Sequence, residues 1–212
     1  MHDEKGQLIM YQVILASGSP RRKEILEQCG ISFVIQKSDA VEVITKEAPH
    51  EAVMELARQK AYDVQKQLTR KNTILIAADT MVANGDKILG KPSDKEDACR
   101  MIKSIQGHDH SVYTGVTLII QDDKIAKGTV KELTFYEETK VELLPMNEEE
   151  IADYVASGEV YDKAGAYAIQ GAFASYVKGI QGDYYNVVGL PICRILRELK
   201  NVGIDLKKSC EK

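Results

Sequence analysis

A chain of 212 residues suits one large α/β domain or two small lobes sharing a core. Hydrophobic residues make up 44% and charged residues 28%, which leaves ample material for that core. A net charge of −4 and a pI of about 5.7 argue against a broad nucleic-acid footprint, which is usually basic.

Met1 to Met10 is polar and acidic and holds no signal-peptide core, so residues 1–10 read as an extension ahead of a single two-lobed domain over 11–205. Val13-Ile14-Leu15-Ala16 is a short apolar strand. Ser17-Gly18 then turns into a helix with Ser19 at the N-cap and Pro20 at its first position, which Cys29-Gly30 ends. Ile31 to Ile35 reads as a second strand, and Val53, Leu56, Ala57, Val64 and Leu68 give a helical stripe over about 49–68.

Thr73 to Ala78 is apolar throughout, as a central strand would be. Asn84-Gly85 signals a hairpin between Met81-Val82-Ala83 and Ile88-Leu89. A helix over 94–105, long strands over 111–120 and 125–137, and a helix from Glu148 to Ala156 follow. A Gly-rich stretch, 163–189, precedes a last amphipathic helix from Pro191 to Leu199. Hairpin-like pairs interrupt the alternation of strands and helices, so the expected fold class is α/β with a mixed, twisted sheet flanked by helices. No apolar run nears the roughly 20 residues of a membrane span. The four cysteines are widely spaced without a Cys-x-x-Cys pair, which suits free thiols in a reducing cytosol.

Five constellations carry candidate chemistry. In Ser17-Gly18-Ser19-Pro20-Arg21-Arg22-Lys23 the first helical turn holds three cations, where a helix N-terminus favours acids. A phosphate among the backbone N–H groups, two hydroxyls and guanidinium forks resolves that conflict; otherwise the side chains splay into solvent. Asp79 follows the apolar strand at its carboxyl end, where metal-binding or water-activating acids gather in α/β proteins, although an Asp there also starts turns.

Gly85 to Pro92 falls one residue short of a P-loop, because proline replaces the hydroxyl that holds magnesium and Ile88-Leu89 reads as hairpin strand. Lys91 either aims a point charge at a phosphate or is an exposed turn lysine. Lys60 lies on the apolar stripe, so it either snorkels or reaches a buried anion, and Glu42 is a candidate second carboxylate or simply solvated. Asp162 to Gly171 allows close backbone approach, with Gln170 able to read a base edge. His108 and His110 read as surface residues.

Together the segments LASGSPRRKEIL, the Glu42 loop, LARQKA, AADTMV, GKP, HSVYTGV, FYEETKV, DKAGAYAIQG and GDYYNVVGLP resemble the Maf family, known also as septum formation proteins, over residues 12 to 200. The resemblance implies an inosine-triphosphate-pyrophosphatase-like fold with two lobes around a cleft. It implies a homodimeric nucleoside triphosphate pyrophosphatase, while composition and charge add the expectation of a cytoplasmic protein without membrane or nucleic-acid partner, and the paired carboxylates that of a divalent metal, Mg²⁺ or Mn²⁺. By position Asp79 matches the proposed catalytic base, and Ser17, Ser19, Arg21, Arg22, Glu42, Lys60, Lys91 and Gln170 match other active-site positions. Glu42 and Asp79 are the expected metal ligands. Arg21, Thr80 and Gln170 match the branch acting on dTTP and UTP rather than the one preferring 7-methyl-GTP. Ala168 departs from the family's usual glycine. The rival reading is a non-catalytic nucleotide-binding regulator of septum formation.

Overall fold

The computed structural model describes residues 9–69, 72–122 and 130–209. Seven strands form one mixed sheet: β1 (Gln12–Leu15), β2 (Val34–Ile35), β3 (Thr73–Asn84), β4 (Lys87–Leu89), β5 (Asp109–Gln121), β6 (Val130–Leu143) and β7 (Val177–Gln181). Their order is β2-β1-β3-β5-β6-β7, with β4 folded back on the end of β3. β1 is parallel to β2 and β3, and every other pairing is antiparallel. Among the described residues seven α-helices flank the sheet: α1 (Pro20–Gln28), α2 (Pro49–Gln65), α3 (Lys95–Ile105), α4 (Glu148–Ala156), α5 (Tyr184–Val188), α6 (Ile192–Asn201) and α7 (Leu206–Ser209).

The central strand explains the layering. Successive side chains of a strand face opposite sides. Even-numbered Ile74, Ile76 and Ala78, with Val116, Leu118 and Ile120 of β5, pack with Ile25 and Leu26 of α1 and Ile195 and Leu199 of α6. Odd-numbered Leu75 and Ala77 pack with Ala61 and Val64 of α2. Further along, Val82 and Val112 belong to a separate core built with Met101 and Ile102 of α3 and Ile151 and Val155 of α4. On this face the two cores are parted by Thr80 and Thr114, which lie directly opposite each other in the β3–β5 ladder. On the other face the apolar run breaks at the neighbouring pair, Asp79 and Gly115. The mixed sheet and its flanking helices are those expected, with a cleft where the cores part.

The first turns of α3 and α4 follow their capping residues. Asp94 accepts from the Asp97 N–H at 2.8 Å to start α3, and Asn147 with Glu150 forms a reciprocal capping box on α4. Several boundaries differ from the sequence reading. Only Val34–Ile35 of the second expected strand is extended, and both side chains are exposed at the sheet edge. β6 runs on to Leu143, because Glu138, Lys140 and Glu142 face solvent in alternation with buried Thr139, Val141 and Leu143 on an antiparallel strand. Residues 125–129 of the expected strand lie outside the described residues. The Gly-rich stretch contains a strand, β7, and a short helix, α5. Ile9 and Leu206 are buried in the first core, so packed structure extends beyond both Tyr11 and Asp205. Cys29, Cys99 and Cys193 are free thiols, and Cys210 lies outside the described residues. No helix among the described residues is long and apolar enough to cross a membrane.

Candidate active site

The site begins with a gap in the sheet. β1 pairs with β3 only as far as Leu15 opposite Ile76, and β4 joins at Leu89 opposite Val82. Residues 77–81 of β3 therefore have a strand neighbour only on the β5 side. The bare edge sits at the carboxyl end of β1, where the order switches from a parallel to an antiparallel neighbour, the kind of crevice in which α/β sheets bind ligands. A cavity of about 390 Å³ opens there. Of the ten residues singled out from the sequence, nine line it: Ser17, Ser19, Arg21, Arg22, Lys60, Asp79, Thr80, Lys91 and Gln170.

The tenth, Glu42, is reached through Lys60. The Lys60 ammonium bonds the Asp79 carboxylate and stands 2.9 Å from Glu42 Oε1. Lys60 and Asp79 are mostly buried, with 16% and 13% of their side chains exposed, whereas Glu42 is half exposed. Lys60 therefore does not snorkel to solvent; it joins two carboxylates from separate segments. Gly115 permits this, because it lies opposite Asp79 under α2 and a Cβ there would collide with the Val53 and Met54 backbone.

The N-terminus of α1 forms the opposite wall. Ser19 occupies the N-cap position but its hydroxyl makes no cap bond, and the first turn holds no acid. Ser17 Oγ, 8% exposed, accepts from the Ser19 N–H at 3.2 Å. Arg22 is held by three bonds: Nε donates to the Gly189 carbonyl at 2.8 Å, one terminal nitrogen to Ser17 Oγ at 3.0 Å and the other to Thr80 Oγ1 at 3.1 Å. A guanidinium has five N–H donors, so one remains on each terminal nitrogen. Gly189, at φ +120°, adopts a backbone that side chains rarely tolerate and so brings its carbonyl to Arg22. Burial holds the Arg22 guanidinium below its ordinary pKa; the Asp79 carboxylate opposes this and Arg21 adds to it. An anion among these groups would relieve the desolvated cation.

Arg21 reaches across to Asp162 at 3.3 Å, an exposed pair of small energetic weight that links α1 to the segment carrying Gln170. Lys163 also pairs with Asp162, at 2.7 Å, while Lys91 is exposed at the cavity mouth. The Asn84-Gly85 turn is a hairpin and not a phosphate cradle. His110 is not at the surface: it is 3% exposed, and its Nε2 lies 2.6 Å from the hydroxyl of Tyr167, which itself lines the cavity. Sequence reasoning gave no role to Thr114, Asn186 or Gly115, although each lies in a motif it quoted. The sharpest signal available was a glycine among apolar residues of a long strand.

Glu42 and Asp79 converge on one cationic position, which fits a hard divalent cation. Among the described residues no group of three or more His, Cys, Asp or Glu side chains comes together. Glu42 and Asp79 are the residues that would hold such an ion, and a pair of carboxylates is the donor set a hard divalent cation takes beside substrate phosphates.

The sequence model of the Maf-like protein family matches residues 12–202. The chain belongs to the Maf family. It is 52% identical over 199 residues to a protein of Lachnoclostridium phytofermentans named dTTP/UTP pyrophosphatase, covering 94% of this chain and 99% of that one. A protein of the same name from Agathobacter rectalis is 49% identical over 208 residues, covering 93% of this chain and 100% of that one. Among solved structures, the Ham1 protein of Staphylococcus aureus superposes with a TM-score of 0.50 at 12% identity, covering 90% of this chain and 99% of that chain. That likeness concerns fold alone, and it agrees with the inosine-triphosphate-pyrophosphatase-like architecture expected of the family.

Proposed function

We propose that this Maf-family chain is a nucleoside triphosphate pyrophosphatase that hydrolyses dTTP and UTP to the monophosphate and pyrophosphate. One observation carries the reading: Asp79, with Lys60 and Glu42, sits on a bare strand edge facing a basic helix N-terminus across a single cavity. The name dTTP/UTP pyrophosphatase borne by its relatives supports the substrate assignment.

The chemistry is placement of a water in line with the scissile bond and neutralisation of polyphosphate charge. Asp79 accepts the proton of the water that attacks the α-phosphorus. The bond from that phosphorus to the bridging oxygen breaks, and pyrophosphate departs with the electron pair. Arg21, Arg22, Lys60 and Lys91 spread the negative charge, with Ser17, Ser19 and the α1 N–H groups as donors to phosphate oxygens. Glu42 and Asp79 would hold a divalent cation, Mg²⁺ or Mn²⁺, which when bound screens phosphate charge and acidifies coordinated water. Arg21, Thr80 and Gln170 select the dTTP and UTP class, Gln170 offering one donor and one acceptor group to a pyrimidine edge. The same reading takes the chain to act as a cytoplasmic homodimer on free nucleotides, and a net charge of −4 favours these over nucleic acid.

The test is a panel of dTTP, UTP, CTP, GTP and 7-methyl-GTP, each with and without a chelator and with Mg²⁺ or Mn²⁺ restored. Metal-dependent release of pyrophosphate from dTTP and UTP is the expected result. Preference for 7-methyl-GTP would overturn the branch assignment. Nucleotide binding without turnover would replace the enzyme with a regulator.

A further inference from the structure

Thr114 lies behind the cavity and does not line it, and it is fully buried. Its hydroxyl donates to the Asn186 carbonyl at 2.9 Å, and 2.9 Å away on its other side is the Thr80 hydroxyl. A carbonyl oxygen only accepts, so the single Thr114 proton is committed to Asn186. The proton between the two threonines must then come from Thr80. Thr80 Oγ1 in turn accepts from Arg22. The run Arg22 to Thr80 to Thr114 to Asn186 is thus fixed from its two ends, by a guanidinium that only donates and a carbonyl that only accepts.

The far end of the run is anchored as firmly. Asn186 is fully buried at the centre of α5, and its Nδ2 donates to the Val112 carbonyl at 3.0 Å and to Thr139 Oγ1 at 3.0 Å. Thr139 spends its own proton on the Asp183 carbonyl at 3.0 Å and accepts the Asp183 N–H at 3.0 Å. The carbonyl that orients Thr114 therefore belongs to a helix tied to β5 and β6 from below.

We propose that Thr114 is a positioning residue: it turns the Thr80 proton away from the cavity, so that Thr80 holds Arg22 and meets the nucleotide only as a hydrogen-bond acceptor. Thr80 then contributes nothing to a phosphate oxygen. The group it recognises on the nucleotide is a donor, an N–H or O–H of base or sugar, while of this run only the two spare N–H groups of Arg22 are left for phosphate. The inference rests on the pyrophosphatase reading for the identity of the nucleotide, and on the hydrogen-bond geometry for the role of Thr114.

The experiment is a double-mutant cycle of Thr80→Val and Thr114→Val, read as kcat/KM for pyrophosphate release from dTTP, with Thr114→Ser alongside. Valine matches threonine in shape but lacks the hydroxyl, and serine keeps it. One hydrogen bond lost corresponds to a fall of roughly three- to tenfold for Thr114→Val. Thr114→Ser stays within about twofold of wild type, and Thr114→Val lowers kcat/KM by less than about twofold once Thr80 is already valine. Wild-type behaviour of Thr114→Val, failure of serine to restore, or factors that multiply in the double variant would each overturn the proposal. The same proteins are titrated calorimetrically with α,β-methylene-dTTP, which cannot be cut at that bond. A wild type that binds the analogue but releases no pyrophosphate sinks the enzyme reading alone, and the binding cycle then decides the role of Thr114. A wild type that neither binds nor cuts overturns both.

Discussion

Replacing Gly115 with alanine places a methyl group where α2 crosses β5. It would lie 2.6 Å from the Met54 nitrogen and closer still to the Val53 carbonyl, against an ordinary contact distance of at least 3.4 Å. The obstruction is backbone, so no side chain can swing aside, and helix or strand must retreat by about 1 Å. α2 is held by Ala52, Val53, Leu56, Ala57, Ala61 and Val64, all buried, so lifting it opens packing along its length. Overpacking of this kind costs about 1–3 kcal/mol. Lys60 lies on the same helix, about 10 Å beyond Val53 at the rise of an α-helix, and it carries the Asp79 and Glu42 contacts. On the proposed reading, in which Lys60 meets the substrate's charge, a displacement of that size corresponds to a loss of up to about 10²-fold in kcat. Urea unfolding and steady-state pyrophosphate release on Gly115→Ala measure the two effects separately. Wild-type stability would refute the packing argument. Reduced stability with unchanged kcat would refute the link from α2 to the chemistry.

Two further outcomes follow from the geometry. Burial pushes the His110 pKa down to about 4, with His108 adding to the effect and Asp109 opposing it. The unfolded chain takes up that proton near pH 6.5 while the folded chain refuses it, so stability is intact above that value and declines toward pH 4. The loss is about 3 kcal/mol between pH 7.5 and pH 4. Urea unfolding across this range shows a steeper acid decline for wild type than for His110→Gln; equal slopes contradict the assignment. For Arg22→Lys, an ammonium cannot span the Gly189 carbonyl, Ser17 Oγ and Thr80 Oγ1 together, so kcat/KM for dTTP falls about 10²-fold. Retention of a third or more of wild-type activity would show that point charge alone suffices.

The architecture was legible where patterns were local. The apolar run from Thr73 announces a strand buried on both faces, and Asn84-Gly85 announces its hairpin. The basic first turn of α1 posed an electrostatic conflict that either a bound anion or splaying into solvent would resolve, and the structure turns that helix end onto the cavity. Lys60 was anomalous on its stripe, yet its partners were hidden, because Glu42 and Asp79 come from segments that meet only in the folded sheet. Nothing in the sequence reveals that β1 stops and β4 starts on either side of Asp79, and that gap is what opens the site. Thr114 was unreadable for a plainer reason: threonine is an ordinary strand former, and a buried hydroxyl pair looks no different from an exposed one. His110 looked like a loop histidine because the tyrosine that buries it lies 57 residues away. β7 was missed because Val177-Lys178-Gly179-Ile180-Gln181 is a largely exposed edge strand with no apolar run.

On the proposed reading, Asp79 drives cleavage of a nucleoside triphosphate at its α-phosphorus. The most direct measurement compares pyrophosphate release from dTTP and UTP by wild type and Asp79→Asn, with Mg²⁺ or Mn²⁺ present. Rapid release by wild type, and a kcat lowered about 10²-fold or more in the variant, is the predicted result. Near-normal turnover by Asp79→Asn would contradict it.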